Sequence, residues 1–276
     1  MILRYLGFCG VDDSVDPDLL QLISLKYEWV EWGVLFRPDL EGSSRYPSWN
    51  WVLKLAEVQK RCSMSLKLAA HLCQIRCVDV LEGKSFEFIS QLEGIGFRRI
   101  QINATKANGV LLNNEQLPRY TSNLRSAILS HPNIEWILQA NEETAGLWMS
   151  IALDNPPSNI SILFDASCGR GIPIHTLPFP IIPFDRSYVT NATNVKFGYA
   201  GGIGPKNIRD VLLKLKEVLF SHEKIWVDME SSVRLKILEI ETENNGENST
   251  ITHDIFSINK CFECIKIVED LKLFVA

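Results

Sequence analysis

The chain has 276 residues, of which 46% are hydrophobic and 22% charged, and its net charge is −5. This balance is typical of a globular protein with a sizeable core, and the acidic charge argues against an extended nucleic-acid-binding surface. Charged residues interrupt every apolar run before it reaches the length of a membrane span, which argues against an integral membrane protein.

The N-terminal segment and the cysteines bear on the cellular compartment. Residues 1–16 lack a basic segment followed by an apolar core, so we expect no signal peptide and a cytoplasmic location. The chain has 7 cysteines, an odd number that favours reduced thiols. None stands in a Cys/His cluster with metal-ligand spacing. We therefore expect no metal and no other cofactor, and no nucleic-acid or membrane partner; no oligomeric state is predicted.

Short apolar, β-branched runs alternate with helical patterns along the whole chain. Apolar residues at helical spacing occupy the segments between the runs. Repeated β–α units imply a parallel sheet. Eight such units are enough to close a (β/α)8 TIM barrel, which we predict for residues 1–276 as one domain; an open doubly wound sheet is the alternative. The strands are predicted at 3–10, 29–36, 65–72, 98–104, 134–140, 160–166, 194–200 and 224–230.

Two segments do not fit the alternation. Residues 169–193 carry four prolines and are too long for a simple β–α loop. Residues 239–253 are polar and rich in Asn and Glu, and we expect a disordered surface insertion there.

Three strand ends present groups suited to proton transfer. Cys9 ends the first predicted strand, Asp165 the sixth and Asp228 the eighth. Taken singly, such a cysteine is more often a small buried side chain, and such an aspartate more often caps a helix or a turn. The carboxyl ends of all barrel strands meet at one face, where active sites lie. A thiol and a carboxyl group at that face suit acid–base chemistry.

The turns after the seventh and eighth strands are candidates for binding a phosphate group. This is the place where many barrels hold phosphate with backbone N–H groups and a helix N-terminus. A tight turn that uses glycine for its positive φ angles is the alternative. The candidate phosphate-binding residues are Gly201, Gly202, Ser231 and Ser232.

Several motifs in chain order resemble those of the phosphoribosylanthranilate isomerase family, TIM barrels of tryptophan biosynthesis. "GFCG" resembles the family's K-x-C-G, and "GVLFRPDLEGSSRY" its G-F-x-F-x-P…S-x-R-Y segment. "LFDA" resembles its L-L-D-A. "AGGIGPKNI" resembles A-G-G-L-x-P-x-N-V, and "VDMESSV" resembles V-D-V-S-S-G-V.

The resemblance implies an Amadori rearrangement of a phosphorylated ribosyl substrate, a cofactor-free aldose–ketose isomerisation. It places Cys9 on the general base and Asp165 on the general acid. It places Arg45 on the arginine that holds the anthranilate part, and Asp228 on a carboxylate that positions the substrate.

The chain also departs from the family pattern, which leaves three functions open. Gly7 replaces a lysine, Asn103 a histidine, Arg170 a threonine and Ser232 a glycine. The chain is therefore expected to be such an isomerase, an isomerase of another phosphosugar read by Arg170, or a barrel that binds a phosphorylated ligand without converting it.

Overall fold

The protein is a closed barrel of eight parallel strands in sequential order, as predicted. The structure, a computed structural model, describes residues 1–61, 66–153, 155–165, 167–171, 195–242 and 248–274. Strand β1 pairs with β8 to close the barrel, and every neighbouring pair of strands is parallel. The strands are β1 (Ile2–Cys9), β2 (Val30–Phe36), β3 (Lys67–Leu72), β4 (Arg99–Ile102), β5 (Glu135–Ala140), β6 (Ile160–Phe164), β7 (Lys196–Tyr199) and β8 (Lys224–Met229).

Helices connect the strands, and two of them begin at clear capping residues. The Asp16 side chain accepts a hydrogen bond from the N–H of Asp18, and Ser257 accepts one from that of Lys260; such contacts satisfy N–H groups that a helix start leaves free. In the part of the chain described, no helix is long and apolar enough to cross a membrane. The helices are α1 (Pro17–Lys26), α2 (Trp49–Arg61), α3 (Ile75–Leu81), α4 (Phe86–Ile95), α5 (Leu117–Ser130), α6 (Ala145–Ala152), α7 (Ile208–Val218) and α8 (Ile258–Leu271).

The two segments predicted to be irregular have different outcomes. Residues 172–193 lie outside the described residues. Most of the segment 239–253, which we expected to be disordered, instead belongs to an antiparallel hairpin of β9 (Arg234–Thr242) and β10 (Asn248–Phe256). β-Branched residues recur along both strands, which favours a two-stranded ribbon despite the polar composition.

Charged groups at its base anchor this hairpin to the top of the barrel. The Arg234 guanidinium is 2% exposed and donates to Asp12 Oδ2 at 2.7 Å and to Asp254 Oδ1 at 2.9 Å. The other oxygen of Asp254 accepts from Arg45 Nη2 at 2.8 Å. The insertion is therefore joined to the loops that follow β1 and β2.

The floor of the barrel is a cluster of buried charges. Arg99 Nε lies 3.0 Å from Glu135 Oε1, and Arg99 also pairs with Glu31. Glu135 is further paired with Arg4 at 2.7 Å and Lys196 at 2.9 Å. Burial acts to raise the pKa of Glu135, but Arg99, Arg4 and Lys196 outweigh it and lower that pKa to about 2. Ion pairs thus compensate charges that would otherwise be costly to bury.

Candidate functional site

A cleft of about 580 Å³, including its open mouth, lies at the carboxyl ends of the barrel strands. Side chains from β3, β4, β5, β6 and β8 face it, together with the turn after β7. Six residues predicted from the sequence line this cleft: Asp165, Asp228, Gly201, Gly202, Ser231 and Ser232. Cys9, Arg45 and Arg170 are not among its lining residues.

Cys9, His71 and Asp228 form a compact group under the cleft. The Cys9 Sγ lies 3.3 Å from His71 Nδ1, and His71 Nε2 lies 3.9 Å from Asp228 Oδ2. One ligand atom from each of the three lies within 4.8 Å of the others, a group that can hold a metal ion. The sequence analysis found no metal-ligand cluster because these residues come from β1, β3 and β8, far apart in the chain. His71 and Asp228 line the cleft, whereas Cys9 is 1% exposed.

Two glycines, which lack a Cβ atom, provide the space that the side chains of Cys9 and Asp228 occupy. A Cβ atom on Gly33 would lie 3.0 Å from the Cys9 Sγ, and one on Gly7 would lie 2.6 Å from Asp228 Oδ1. Gly7 therefore makes room for the Asp228 carboxyl group. The described residues place no lysine or arginine within ion-pair distance of that carboxyl group.

Burial shifts the protonation of all three groups. Burial raises the pKa of the Cys9 thiol well above its usual value, and the charges of Asp228 and Glu230 raise it further. Burial, with a smaller contribution from Arg99, lowers the pKa of His71 to about 3. Burial also raises the pKa of Asp228 to about 8, helped by Glu31 and Glu230. At neutral pH the group therefore contains a thiol, a neutral imidazole and a carboxyl group close to its titration point.

These protonation states favour one tautomer of His71. A thiol has a proton to donate, and an unprotonated ring nitrogen is its natural acceptor. In the tautomer in which the Cys9 S–H donates to Nδ1, the ring proton of the neutral imidazole is on Nε2, which faces Asp228. The thiolate that a general base at Cys9 requires is disfavoured here, so these contacts suit a residue that orients His71.

Asp165 is held as a hydrogen-bond acceptor. Its Oδ1 accepts from the backbone N–H and the hydroxyl of Ser167, and its Oδ2 accepts from Gln139 Nε2 and the N–H of Gly169. An ionised carboxylate has about four acceptor sites, so four donors fill its capacity. These contacts are those of an aspartate that organises a turn, which is the alternative to a catalytic role. The role of Asp165 as general acid stays a prediction.

Neither predicted cationic residue lines the cleft. Arg45 donates to Glu230 Oε1 and Asp254 Oδ2, each at 2.8 Å. Its backbone has a positive φ of 66°, an uncommon conformation outside glycine, and its N–H donates to Asp12 Oδ2 at 2.6 Å. Arg170 is exposed, and its Nε donates to the Ser167 carbonyl at 2.8 Å. The binding roles predicted for both therefore gain no support from these contacts.

The turn after β7 presents backbone donors to the cleft. Gly201 and Gly202 have φ angles of 103° and 59°, which glycine adopts at little cost. Among the described residues, the N–H groups of Gly201, Gly202 and Ile203 have no hydrogen-bond partner. The Ser232 hydroxyl, however, donates to the Ile203 carbonyl. The backbone N–H groups, rather than Ser232, are thus available to an anionic ligand.

Two buried amide oxygens also lack partners at the cleft. Gln101 and Gln139 are each 4% exposed and line the cleft, and neither Oε1 has a hydrogen-bond partner. Gln101 is paired in register with His71 on the neighbouring strand. A buried acceptor without a donor is costly, so these oxygens are available to hydroxyl or amine groups of a ligand.

The comparisons with known proteins leave the reaction to be argued from the site. No protein-family model matches the chain, and no curated protein sequence matches it. Among solved structures, the chain is similar to TrpF from Jonesia denitrificans, with 13% identity, coverage of 98% of both chains and a TM-score of 0.48.

Three residues of the cleft were not predicted from the sequence: His71, Gln101 and Glu230. All three lie on the inward-facing positions of barrel strands or directly after one, at the same end as Cys9 and Asp228. The available signal was period-two alternation: His71 follows inward-facing Ala69 in "KLAAHL", and Glu230 follows Asp228 by two residues. Polar residues at inward positions near a strand's carboxyl end indicate a barrel's active face.

Proposed function

We propose that the protein is an aldose–ketose isomerase that transfers a proton between two adjacent carbon atoms of a phosphorylated sugar derivative. The placement of His71 beside Asp228 at the active face of the barrel is the observation that carries this proposal. A carboxylate base beside a neutral imidazole is a recurring arrangement for this chemistry.

Each group has one role in the proposed reaction. Ionised Asp228 removes the proton from the carbon next to the substrate's carbonyl or imine, and His71 Nε2–H donates a hydrogen bond to the oxygen or nitrogen that gains electron density. Asp228 then returns the proton to the neighbouring carbon atom, while the proton of the adjacent hydroxyl group moves to the oxygen or nitrogen that gained electron density. The isomerisation therefore balances without an oxidant or a reductant. Cys9 stays protonated and buried and acts as a positioning residue for His71.

The turn after β7 supports a phosphorylated substrate. Its free N–H groups at Gly201, Gly202 and Ile203 lie at the same cleft as Asp228, and such donors suit a phosphate oxygen. Phosphoribosylanthranilate is the first substrate to test, because several sequence motifs of the chain resemble those of its isomerase. Another phosphosugar is the second candidate, favoured by the ion pairs that hold Arg45 away from the cleft.

Turnover of freshly generated phosphoribosylanthranilate, followed by loss of its fluorescence, and of a panel of aldose phosphates tests the proposal. Because acid–base catalysis by one side chain contributes about 100-fold or more, Asp228→Asn is expected to lower kcat by at least that factor. Cys9→Ser is expected to retain most activity, since a hydroxyl can also donate to Nδ1. Cys264→Ser, in α8, is the matched control for replacing a buried thiol.

Three outcomes separate the alternatives. Full activity in Asp228→Asn would overturn the proposal. Loss of activity in Cys9→Ser with activity retained in Asp228→Asn would return the base to Cys9. Binding of an aldose phosphate with no turnover of any substrate would instead support a barrel that binds its ligand without converting it.

A further inference from the structure

We infer that Glu230 determines the specificity of the cleft, and that it selects a sugar phosphate carrying a protonated amine over one carrying a hydroxyl group at the same position. This inference rests on the proposed function only in taking the cleft as the substrate site. It deepens that function by naming the substrate class.

Glu230 offers a carboxylate oxygen to the cleft. It follows Asp228 by two residues at the end of β8, lines the cleft, and has a side chain that is 36% exposed. Its Oε1 is paired with Arg45, whereas its Oε2 has no hydrogen-bond partner among the described residues. A ligand entering the cleft can therefore reach the free oxygen.

Arg45, the cation that pairs with Glu230, is held outside the cleft. The two terminal nitrogens of Arg45 contact Glu230 and Asp254, one each, and Asp254 belongs to the hairpin insertion. Arg45 therefore lies between two carboxylates and does not face the cleft. A ligand carboxylate would have to displace one of these ion pairs to reach the guanidinium.

The other described lining residues add no positive charge that would repel an ammonium group. Asp165 and Asp228 are the other acidic lining residues, and among the described lining residues none is a lysine or an arginine. The free N–H groups of the turn at 201–203 are the anion donors on the same cleft. The arrangement suits a ligand with a phosphate group at one end and an ammonium group at the other.

Two commercially available sugar phosphates provide a matched pair of probes. D-Glucosamine 6-phosphate and D-glucose 6-phosphate differ only in the amine or hydroxyl group at C2. Isothermal titration calorimetry at pH 6.5 is expected to show that D-glucosamine 6-phosphate binds about tenfold more tightly. A charge-assisted hydrogen bond from its ammonium group to a carboxylate accounts for a difference of this size. Glu230→Gln is expected to remove this preference, and Glu230→Asp to retain it.

Asp270→Asn, at an exposed acidic residue in α8, is the matched control and should leave the preference unchanged. Equal binding of the two probes, a preference that survives in Glu230→Gln, or no binding of either probe would each overturn the inference. Thermal denaturation of each variant shows that it is folded. An amine preference without turnover would sustain this inference and count against the isomerase, whereas turnover without that preference would do the reverse.

Discussion

Replacing Asp228 by asparagine should stabilise the protein, and the gain should grow with pH. The carboxyl group titrates near pH 3.8 in the unfolded chain and near 8 in the folded one, because burial and the charges of Glu31 and Glu230 oppose ionisation. Between these values the folded state binds one more proton than the unfolded state. The free energy of unfolding of the wild type therefore falls as pH rises through this window.

The size of the effect follows from the two pKa values. One pKa unit corresponds to about 1.4 kcal/mol, so from pH 5 to pH 8 the stability advantage of Asp228→Asn should increase by up to about 4 kcal/mol. His71 acts in the opposite sense. Its folded pKa of about 3 lies below its usual 6.5, so its contribution makes the wild type more stable as pH rises from 3 to 6.5.

Urea denaturation at pH 5, 6.5 and 8 measures this difference. The free energy of unfolding of the wild type is subtracted from that of the variant at each pH, which cancels the contributions of other titrating groups. Any other effect of the amide adds the same amount at every pH. Asp270→Asn, exposed on α8, should show no such trend. A difference between Asp228→Asn and wild type that is constant from pH 5 to pH 8 would refute the assignment of a buried, uncompensated carboxyl group.

Three further changes test the barrel and its insertion. Glu135→Gln should cost about 3 kcal/mol at pH 7, by the shift from 4.5 to about 2, and urea denaturation should show the deficit shrinking as pH falls from 4.5 towards 2. Gly198→Ala should cost a few kcal/mol in thermal denaturation, because the new Cβ would lie 2.1 Å from Trp226 Cε2; an unchanged Tm would contradict this packing. Asp254→Asn should speed cleavage of the hairpin by trypsin, since it weakens the contact with Arg45; unchanged cleavage would mean that other contacts anchor it.

The barrel could be predicted because its signal is local. Each of the eight strands is a run of apolar and β-branched residues, and each predicted strand overlaps an observed one. The hairpin could not be predicted from composition, since its polar residues resemble a disordered segment. The sequence does carry one hairpin signal, which is Asn245-Gly246 between two segments that contain β-branched residues.

The site residues that could be predicted are those that lie at the end of a predicted strand or in the turn after it. Asp165, Asp228, Gly201 and Gly202 could be placed at the cleft because the fold puts strand ends together. Their partners could not. The contact between His71 and Cys9 depends on the stagger of strands that are distant in the chain. The ion pairs of Arg45 depend on the end of β8 and on the hairpin.

The interior of this barrel contains polar groups whose burial costs free energy of folding. A purely structural role does not explain them. Gln101 and Gln139 keep unpartnered amide oxygens, and Asp228 keeps a carboxyl group without an opposite charge. Each of these costs free energy that an apolar side chain of similar size would not. All three line one cleft at the active face of the fold. Because proteins tolerate such local penalties mainly at functional sites, their concentration here favours a ligand-binding or catalytic cleft over a scaffold.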